Sequence, residues 1–490
     1  MQVSVNRKDI KFLPDSSRVI ARFFYNGDER ALNTIRSVLN MPDSEASVAL
    51  KQVLRDYSLR HRNISRIFEK HYNNITYLLA QLSIDPESIG FPRKLLIGAY
   101  FTKEYSIESS AFFNPSIVEH PDQSETGQGE KRVIISFRAT GEGHISSIVF
   151  RMGVLDQRNN LFIEPVGNML EEAEHIRRHI YDKESFKSKL DEMEDFQGII
   201  PSGLILDKLN DKFTYGELRK CIEEDKKTLH LAAYRKIFFD QIMWLASSHY
   251  ELDFSLDTNI SERVIFPVSS NETNGIEDAR FVKFLDDNNE VIYYATYTAY
   301  DGKTIMPKLL DTRDFYHFRV LPLHGEIAQN KGMAMFPRKI NGKYAMLCRL
   351  DGFNNYIAYS DNITVWREAK LLQQPRFPWE FIQIGNCGSP IETSEGWLVI
   401  THGVGPMREY VLGASLFDLH NPEKETGRLK SPLLMPNAEE REGYVPNVVY
   451  SCGSIIHNND LIIPYAVSDF ASTYATVNLR ELLNELKNSN

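Results

Sequence analysis

The chain has 490 residues, of which 42% are hydrophobic and 25% charged, with a formal net charge of −10. This length allows two or more domains and a sizeable core, while the acidic balance and the lack of a sustained basic run argue against a nucleic-acid or anionic-membrane surface. No stretch supplies the roughly 18 apolar residues of a membrane span, and the start MQVSVNRKDIKF lacks a signal peptide's apolar core, so no membrane partner and a cytoplasmic location are expected.

Residues 1–94 read as a helical N-terminal extension. A short extended start precedes a helix-like run from Asp28 to Leu39, and Pro42-Asp43-Ser44 supplies a stop and a new N-cap. From Arg62 to Leu82 the apolar residues Ile64, Ile67, Phe68, Ile75, Leu78, Leu79 and Leu82 recur at three- and four-residue steps, which predicts one amphipathic helix. His71, on its apolar side, reads as a packing histidine. Such faces need cover, either on the main domain or in a homo-oligomer built through these helices.

From about residue 95 the pattern changes to short strands and turns, and 95–490 reads as one β-rich catalytic domain. A helical insertion is expected at about 167–249, with helices over Glu171 to Tyr181 and Leu218 to Ser248. Cys221, Cys348, Cys387 and Cys452 stand far apart without CxxC spacing, as expected of reduced, buried thiols. His144, His317, His324 and His402 show no ligand spacing, so no metal is expected.

A weak repeat runs through the strand regions: a polar residue beside a proline or turn, an aliphatic strand, a hairpin, then an aromatic-rich strand. The starts are Asn114-Pro115, Glu277-Asp278, Phe336-Pro337, Ser389-Pro390 and Pro446-Asn447. From Asp278 onward they lie 58, 53 and 57 residues apart. That period fits a four-stranded propeller blade, and the longer first gap fits an insertion between the first two blades. The fold class is therefore mainly β, a five-bladed β-propeller with a helical N-terminal extension and a helical insertion; a β-sandwich with irregular loops is the alternative.

The stretch NETNGIEDARFVKFLDDNNEVIYYATYTAYDG, from Asn271 to Gly302, holds the densest chemistry. Glu277, Asp278 and Arg280 stand at a strand mouth, where neighbours can hold two carboxylates in different ionisation states; a salt-bridged turn is the plain alternative. First strands of propeller blades line a central channel. Asn114, Arg138, Glu277, Asp278, Arg280, Lys331, Arg349, Gln383, Asn386, His402, Arg408, Tyr410 and Asp469 could therefore share one pocket. Asn, Asp and Arg suit sugar hydroxyls, and Lys331, Arg349, His402 and Tyr410 suit an oxyanion such as phosphate.

The stretches FFNPSIV, SFRATGEGHIS, NGIEDARFV, GMAMFPRKINGKYAMLCR, GNCGSPIETSEGWLVITHGV, YVLGASLFDL, VPNVVYSCG and IPYAVSDF together resemble glycoside hydrolase family 130, the β-mannoside phosphorylases and β-mannosidases. The resemblance covers about Leu95 to Leu483. It implies a five-bladed propeller acting on a small oligosaccharide without a cofactor, with Asp278 as general acid. On the sugar side it implies Asn114, Arg138 and Asp469, with Glu277 and Arg280 in the same motif. For phosphate it implies Arg349, His402 and Tyr410, beside Lys331. The chain departs from the family pattern at Asn330-Lys331-Gly332, where an Arg-Asn pair is usual, at Gln383, where a phosphate-binding lysine is usual, and at Ala279, where a proline is usual.

Two reactions follow from the resemblance. In phosphorolysis, inorganic phosphate is co-substrate and no base is needed. In hydrolysis a second carboxylate must activate water, and Glu326, Glu392 and Glu440 are the candidates. Phosphorolysis is the expectation, hydrolysis the alternative, and either inverts the anomeric centre. A sugar-binding propeller without turnover is a third reading.

Overall fold

The computed structural model describes residues 3–176, 180–192, 203–228, 239 and 242–489. The chain is mainly β, and five sheets of four or more strands, antiparallel but for one parallel edge strand, follow one another along the described residues.

The first sheet holds Ala111–Glu119, Lys131–Thr140, Ser146–Leu155 and Arg263–Ile265, and the second Ile276–Leu285, Val291–Tyr300, Ile305–Thr312 and His317–Pro322. The third holds Ala334–Met335, Tyr344–Cys348, Asn355–Ser360 and Ala369–Gln373, and the fourth Gln383–Asn386, Gly396–Val404, Tyr410–Phe417 and Glu425–Arg428. The fifth is assembled from both ends of the chain. Val449–Tyr450, Asp460–Val467 and Ala471–Asn478 are completed by Val5–Arg7, with Val5 opposite Val477.

Neighbouring sheets touch in sequence. Phe281 N–H donates to Ser116 Oγ at 3.1 Å, Leu285 N–H to the Pro337 carbonyl at 2.9 Å, and Asn386 Nδ2 to the Gly332 carbonyl at 2.7 Å. Tyr410 N–H donates to the Asn447 carbonyl at 3.0 Å, and Cys452 N–H to the Pro115 carbonyl at 2.8 Å, which returns the series to the first sheet. At one end of these strands a cavity of about 530 Å³ is lined by a stretch from every sheet, among them Glu119, Lys283, Arg338, Glu392 and Ile455.

Two of the expected repeat starts are displaced. Phe336-Pro337 and Ser389-Pro390 follow the first strands of their sheets, and Pro337 and Pro390 line the 530 Å³ cavity rather than the opposite end. The polar positions that open these strands are Lys331 and Gln383. Proline lacks the N–H a ladder needs, so each sits where pairing stops.

The N-terminal segment begins with strands. Asp15–Phe23 pairs with Thr102–Glu108, and helices start only at Asp28. The single helix expected over Arg62 to Leu82 is broken into Ile64–Asn73 and Tyr77–Gln81, with β-branched Ile75 and Thr76 at the break. Its apolar positions still face inward, Ile75, Leu78 and Leu79 being fully buried. Helix Phe91–Tyr100 packs on Ile64–Asn73 so closely that a Cβ on Gly98 would lie 1.9 Å from the Phe68 carbonyl oxygen. Buried Glu108 accepts from Arg151 at 2.8 and 3.1 Å and pairs with buried Arg18, fastening this segment to the first sheet.

The insertion is not purely helical. Where a helix was expected over Glu171 to Tyr181, strand Glu171–Glu172 extends the first sheet and Glu174–Ile176 the second, while Ile180–Asp182 pairs with Lys212–Thr214. Pairing with open sheet edges overrides local helix propensity here. Of the second expected helix, Tyr215–Thr228 is helical; residues 229–238, 240 and 241 lie outside those described.

Below the Glu277 strand lies a buried ion pair. Glu272 and Lys308 are both fully buried, 2.8 Å apart, and Glu272 also accepts from Tyr297 Oη at 2.7 Å, Tyr250 Oη at 2.9 Å and two backbone N–H groups at 3.1 Å. Burial acts to raise the Glu272 carboxyl, but Lys308 and these donors outweigh it and hold it at about 2. The pair props the turn that leads into Glu277.

Candidate active site

Asn114 and Asp278 occupy matching positions in the first strands of the first two sheets. Each adopts a left-handed backbone, φ 49° and 55°, and each lies where the ladder shifts register, between Phe113 and Ser116 and between Glu277 and Arg280. A β-bulge re-aims a side chain out of the strand alternation, and Asn and Asp tolerate positive φ better than most residues. The bulges bring the two side chains together. Asn114 Nδ2 donates to Asp278 Oδ1 at 2.6 Å.

Arg138, from the second strand of the first sheet, completes this half. Its Nη2 donates to Glu277 Oε1 at 2.9 Å, its Nη1 lies 3.5 Å from Asp278 Oδ1, and its guanidinium stands over the Phe113 ring at 5.0 Å. Lys331 reaches the same cluster from the third sheet and pairs with Glu277 Oε2. Its ammonium is engaged by a carboxylate rather than standing among the expected phosphate ligands.

Burial acts to raise the Asp278 carboxyl, but Arg138, Arg280, Asn114 and Lys331 together pull it below the usual range. Asp469, on the hairpin after Asp460–Val467, behaves oppositely. Burial and the nearby Asp278 charge push it up to about 6 against the pull of Arg138.

A second half faces this one from the third and fourth sheets. The Gln383 amide is satisfied with its oxygen toward Arg349 Nη1 and His402 Nε2, the latter at 2.8 Å, and its nitrogen donating to the Gly352 carbonyl at 3.2 Å. His402 Nδ1 lies 3.1 Å from the Asn386 carbonyl and 3.7 Å from the Cys387 sulfur. Burial, then Arg349 and Arg280, lower His402 to about 3, so the ring is neutral. The Tyr410 ring stacks on it at 6.2 Å, and Arg408 donates to the Tyr410 hydroxyl at 3.3 Å.

Arg280 and Tyr450 join the halves. Arg280 Nη1 donates to the Asp278 carbonyl at 3.4 Å and Nη2 to the Tyr450 hydroxyl at 2.6 Å, while the Tyr450 ring meets His402 at 5.0 Å. Tyr450 was missed in the sequence. Its signal was its place in VPNVVYSCG, shortly after the fifth repeat start. Four buried polar atoms here have no hydrogen-bond partner among the described residues: Asn114 Oδ1, Arg138 Nε, Arg280 Nε and Arg349 Nε.

The three carboxylates expected as alternative bases have other partners. Glu392 is clamped by Arg338 at 2.7 and 2.8 Å beside the 530 Å³ cavity. Glu440 is buried, accepting from Tyr465 at 2.7 Å, Arg7 at 3.2 Å and Asn437 N–H at 3.0 Å. Glu326 is exposed, 3.9 Å from Arg367. Glu392 and Glu440 are held by structural partners that lie far off in sequence, which is why an isolated glutamate gave no guide to position. Among the described residues no group of three or more His, Cys, Asp or Glu could hold a metal ion, and no helix is long and apolar enough to cross a membrane.

A family model described as beta-1,4-mannooligosaccharide phosphorylase, Glyco_hydro_130, matches residues 251–488. The chain is 35% identical over 225 residues to a 1,2-beta-oligomannan phosphorylase of Thermoanaerobacter sp. (strain X514), covering 44% of this chain and 74% of that protein. It is 32% identical to a beta-1,2-mannobiose phosphorylase of Listeria innocua, covering 48% of this chain and 65% of the relative. The crystal structure of a Listeria innocua beta-1,2-mannobiose phosphorylase in complex with beta-1,2-mannobiose aligns with 79% of this chain and 94% of its own, at 22% identity and a TM-score of 0.46. Asn114 and Arg138 precede the residues matched by the family model.

Proposed function

The chain belongs to glycoside hydrolase family 130, and on that premise we propose that it cleaves terminal β-mannosides by phosphorolysis, releasing α-mannose 1-phosphate. The observation that carries this reading is the pairing of a positioned carboxylate, Asp278, with a separate cationic and neutral-donor cluster, Arg349, His402 and Tyr410, across the Arg280–Tyr450 link. The unpartnered Nε atoms of Arg138, Arg280 and Arg349 are donors that sugar hydroxyls and a phosphate would satisfy.

In this mechanism a phosphate oxygen bonds to the anomeric carbon from the face opposite the leaving sugar. The glycosidic C–O bond breaks, and its electron pair stays on the leaving oxygen. That oxygen takes the Asp278 proton, directly or through a sugar hydroxyl. Glu277, Arg138, Asn114 and Asp469 hold the mannosyl unit, and Lys331 orients Glu277.

The charge balance supports a role for phosphate beyond attack. Without it, the surrounding cations hold Asp278 ionised and unable to give a proton. A phosphate anion seated by Arg349 and Arg280 offsets that field and raises the Asp278 carboxyl toward the protonated form. The nucleophile thus loads the acid, which disfavours hydrolysis when phosphate is absent.

We read the five sheets as blades of one propeller whose ring is closed by Val5–Arg7 on the last sheet, with 95–490 as its main body and about 1–94 as an added layer. The four buried, unpaired cysteines suit a reducing compartment, which supports a cytoplasmic location. The test is product analysis on β-1,2- and β-1,4-linked mannobiose with and without inorganic phosphate. Phosphate-dependent α-mannose 1-phosphate is expected, and free mannose formed equally well without phosphate would overturn the reading.

A further inference from the structure

Arg280 is a buried cation without an anion. It is 3% exposed, yet its hydrogen-bond acceptors among the described residues are both neutral: the Asp278 carbonyl, 3.4 Å from Nη1, and the Tyr450 hydroxyl, 2.6 Å from Nη2. Burial keeps that phenol protonated, and the Arg280 Nε–H has no partner. No described carboxylate pairs with Arg280, although Glu277 and Asp278 stand just before it in the chain. Both are engaged elsewhere, Glu277 by Arg138 and Lys331, Asp278 by Asn114 and Arg138. A buried guanidinium lacking a counter-charge is costly, and one this close to two carboxylates turns to them unless another group holds it away.

Tyr450 is the group in position to do so. It ends the short strand Val449–Tyr450 opposite Ala466, and its ring packs on the cluster of Ala111, Phe113 and Ala466, where two small residues leave room for it. The same ring meets His402 edge-on at 5.0 Å. With contacts to that cluster and to His402, the ring places its hydroxyl firmly, and the hydroxyl in turn places the guanidinium. Arg280 and Arg349 both act on His402 and help to keep it neutral, so the charge that Tyr450 holds belongs with the second half of the site. No hydrogen bond joins Tyr450 to Asn114, Arg138 or Asp469.

Resting on the phosphorolytic reading above, we propose that Tyr450 is a positioning residue for the nucleophile: its hydroxyl keeps Arg280 off the carboxylates of Glu277 and Asp278 and presents that charge, beside Arg349, to the incoming phosphate. Without the hydroxyl, Arg280 turns back to the carboxylates, and phosphate must displace them to recover it. The sugar side of the site is untouched by the change.

The test is Tyr450→Phe in the full chain, which removes the hydroxyl and keeps the ring against Ala466 and His402. It is expected to raise KM for phosphate by about tenfold to a hundredfold, with kcat at saturating phosphate within about threefold of the wild type. Mannobiose affinity, measured by calorimetry without phosphate, should stay within about twofold. Arg280→Lys supplies the second arm, because one ammonium cannot span the Asp278 carbonyl and the Tyr450 hydroxyl as the guanidinium does. In that background Tyr450→Phe should change the phosphate KM by less than about twofold. An unchanged phosphate KM in Tyr450→Phe, a matching loss of sugar affinity, or the same penalty in both Arg280 backgrounds overturns the proposal. If the wild type shows no phosphate-dependent cleavage, the phosphorolytic reading falls and calorimetric titration with inorganic phosphate alone decides the role of Tyr450. Affinity about tenfold weaker in Tyr450→Phe then upholds it, and equal affinity or no binding overturns it.

Discussion

Asn114 and Asp278 are joined by a 2.6 Å hydrogen bond across 164 residues of sequence, and both hold left-handed backbones at bulges in neighbouring sheets. The bond fixes which Asp278 oxygen faces Arg138 and which is left for substrate. Asp278→Asn is expected to lower kcat by about a hundredfold to ten-thousandfold while calorimetry still detects sugar binding. Asn114→Ala, which removes the donor but not the acid, should cost about tenfold. Unchanged turnover in Asp278→Asn would remove the acid assignment.

Asp469 should set an acidic limb in the pH profile. Its carboxyl is raised to about 6, so it ionises, and can accept two sugar hydroxyls, only above that pH. Phosphorolysis at low substrate should therefore fall as pH drops through about 6. Asp469→Asn should lower kcat/KM by about tenfold to a hundredfold and abolish that limb. The same shift has a stability sign. A carboxyl raised in the fold stabilises below its ordinary value of 3.8, and the contribution is lost as pH rises to about 6.

Gln383 holds Arg349 and His402 through a neutral amide. A cation there would repel Arg349 in the free protein and be relieved by an anion. Gln383→Lys is expected to lower the melting temperature without phosphate and to lower KM for phosphate by about tenfold. Thermal shift across a phosphate titration measures both, and a variant with unaltered phosphate response would place the anion elsewhere.

Lys308→Met tests the pair beneath the site. Removing one partner leaves the Glu272 carboxylate buried without its cation, a loss of about 3–5 kcal/mol in urea unfolding. The Glu272 carboxyl lies at about 2 in the fold against an ordinary 4.5. Its contribution is thus present above pH 4.5 and lost as pH falls toward 2, and the variant should unfold at a higher pH than the wild type. Equal acid midpoints would mean that the pair contributes nothing net.

The N-terminal helices leave Tyr57, Leu59, Tyr77, Phe91 and Tyr100 exposed. A homo-oligomer through this face is expected, with light scattering giving at least a dimer and Leu59→Asp with Tyr100→Asp giving a monomer. A monomeric wild type would end that idea.

What the amino-acid order determined by itself is local. The strand-forming runs at Val133 to Phe137 and, rich in β-branched and aromatic residues, at Val291 to Tyr300, the turn Asp286-Asp287-Asn288-Asn289, and the crowding of Glu277, Asp278 and Arg280 at one strand mouth all follow from neighbours in the chain, and all were legible there. The apolar stripe of Ile64 to Leu82 was legible too, although its break at Ile75-Thr76 was not, because two short helices bury the same residues as one.

Everything that depends on long-range pairing was decided by the tertiary structure. Val5–Arg7 joins the last sheet, and Glu171–Glu172 and Glu174–Ile176 become strands because open edges offer N–H and C=O partners that a local helix would waste. Lys331 turns to Glu277, while Glu392 and Glu440 take structural partners of their own. Tyr450 enters the site because Arg280 reaches it from another sheet. A side chain's charge is written in the sequence, but the neighbours that set its ionisation and its direction arrive only when distant strands meet. Asp278 and Asp469, chemically identical in the chain, are driven apart in acidity by that meeting alone.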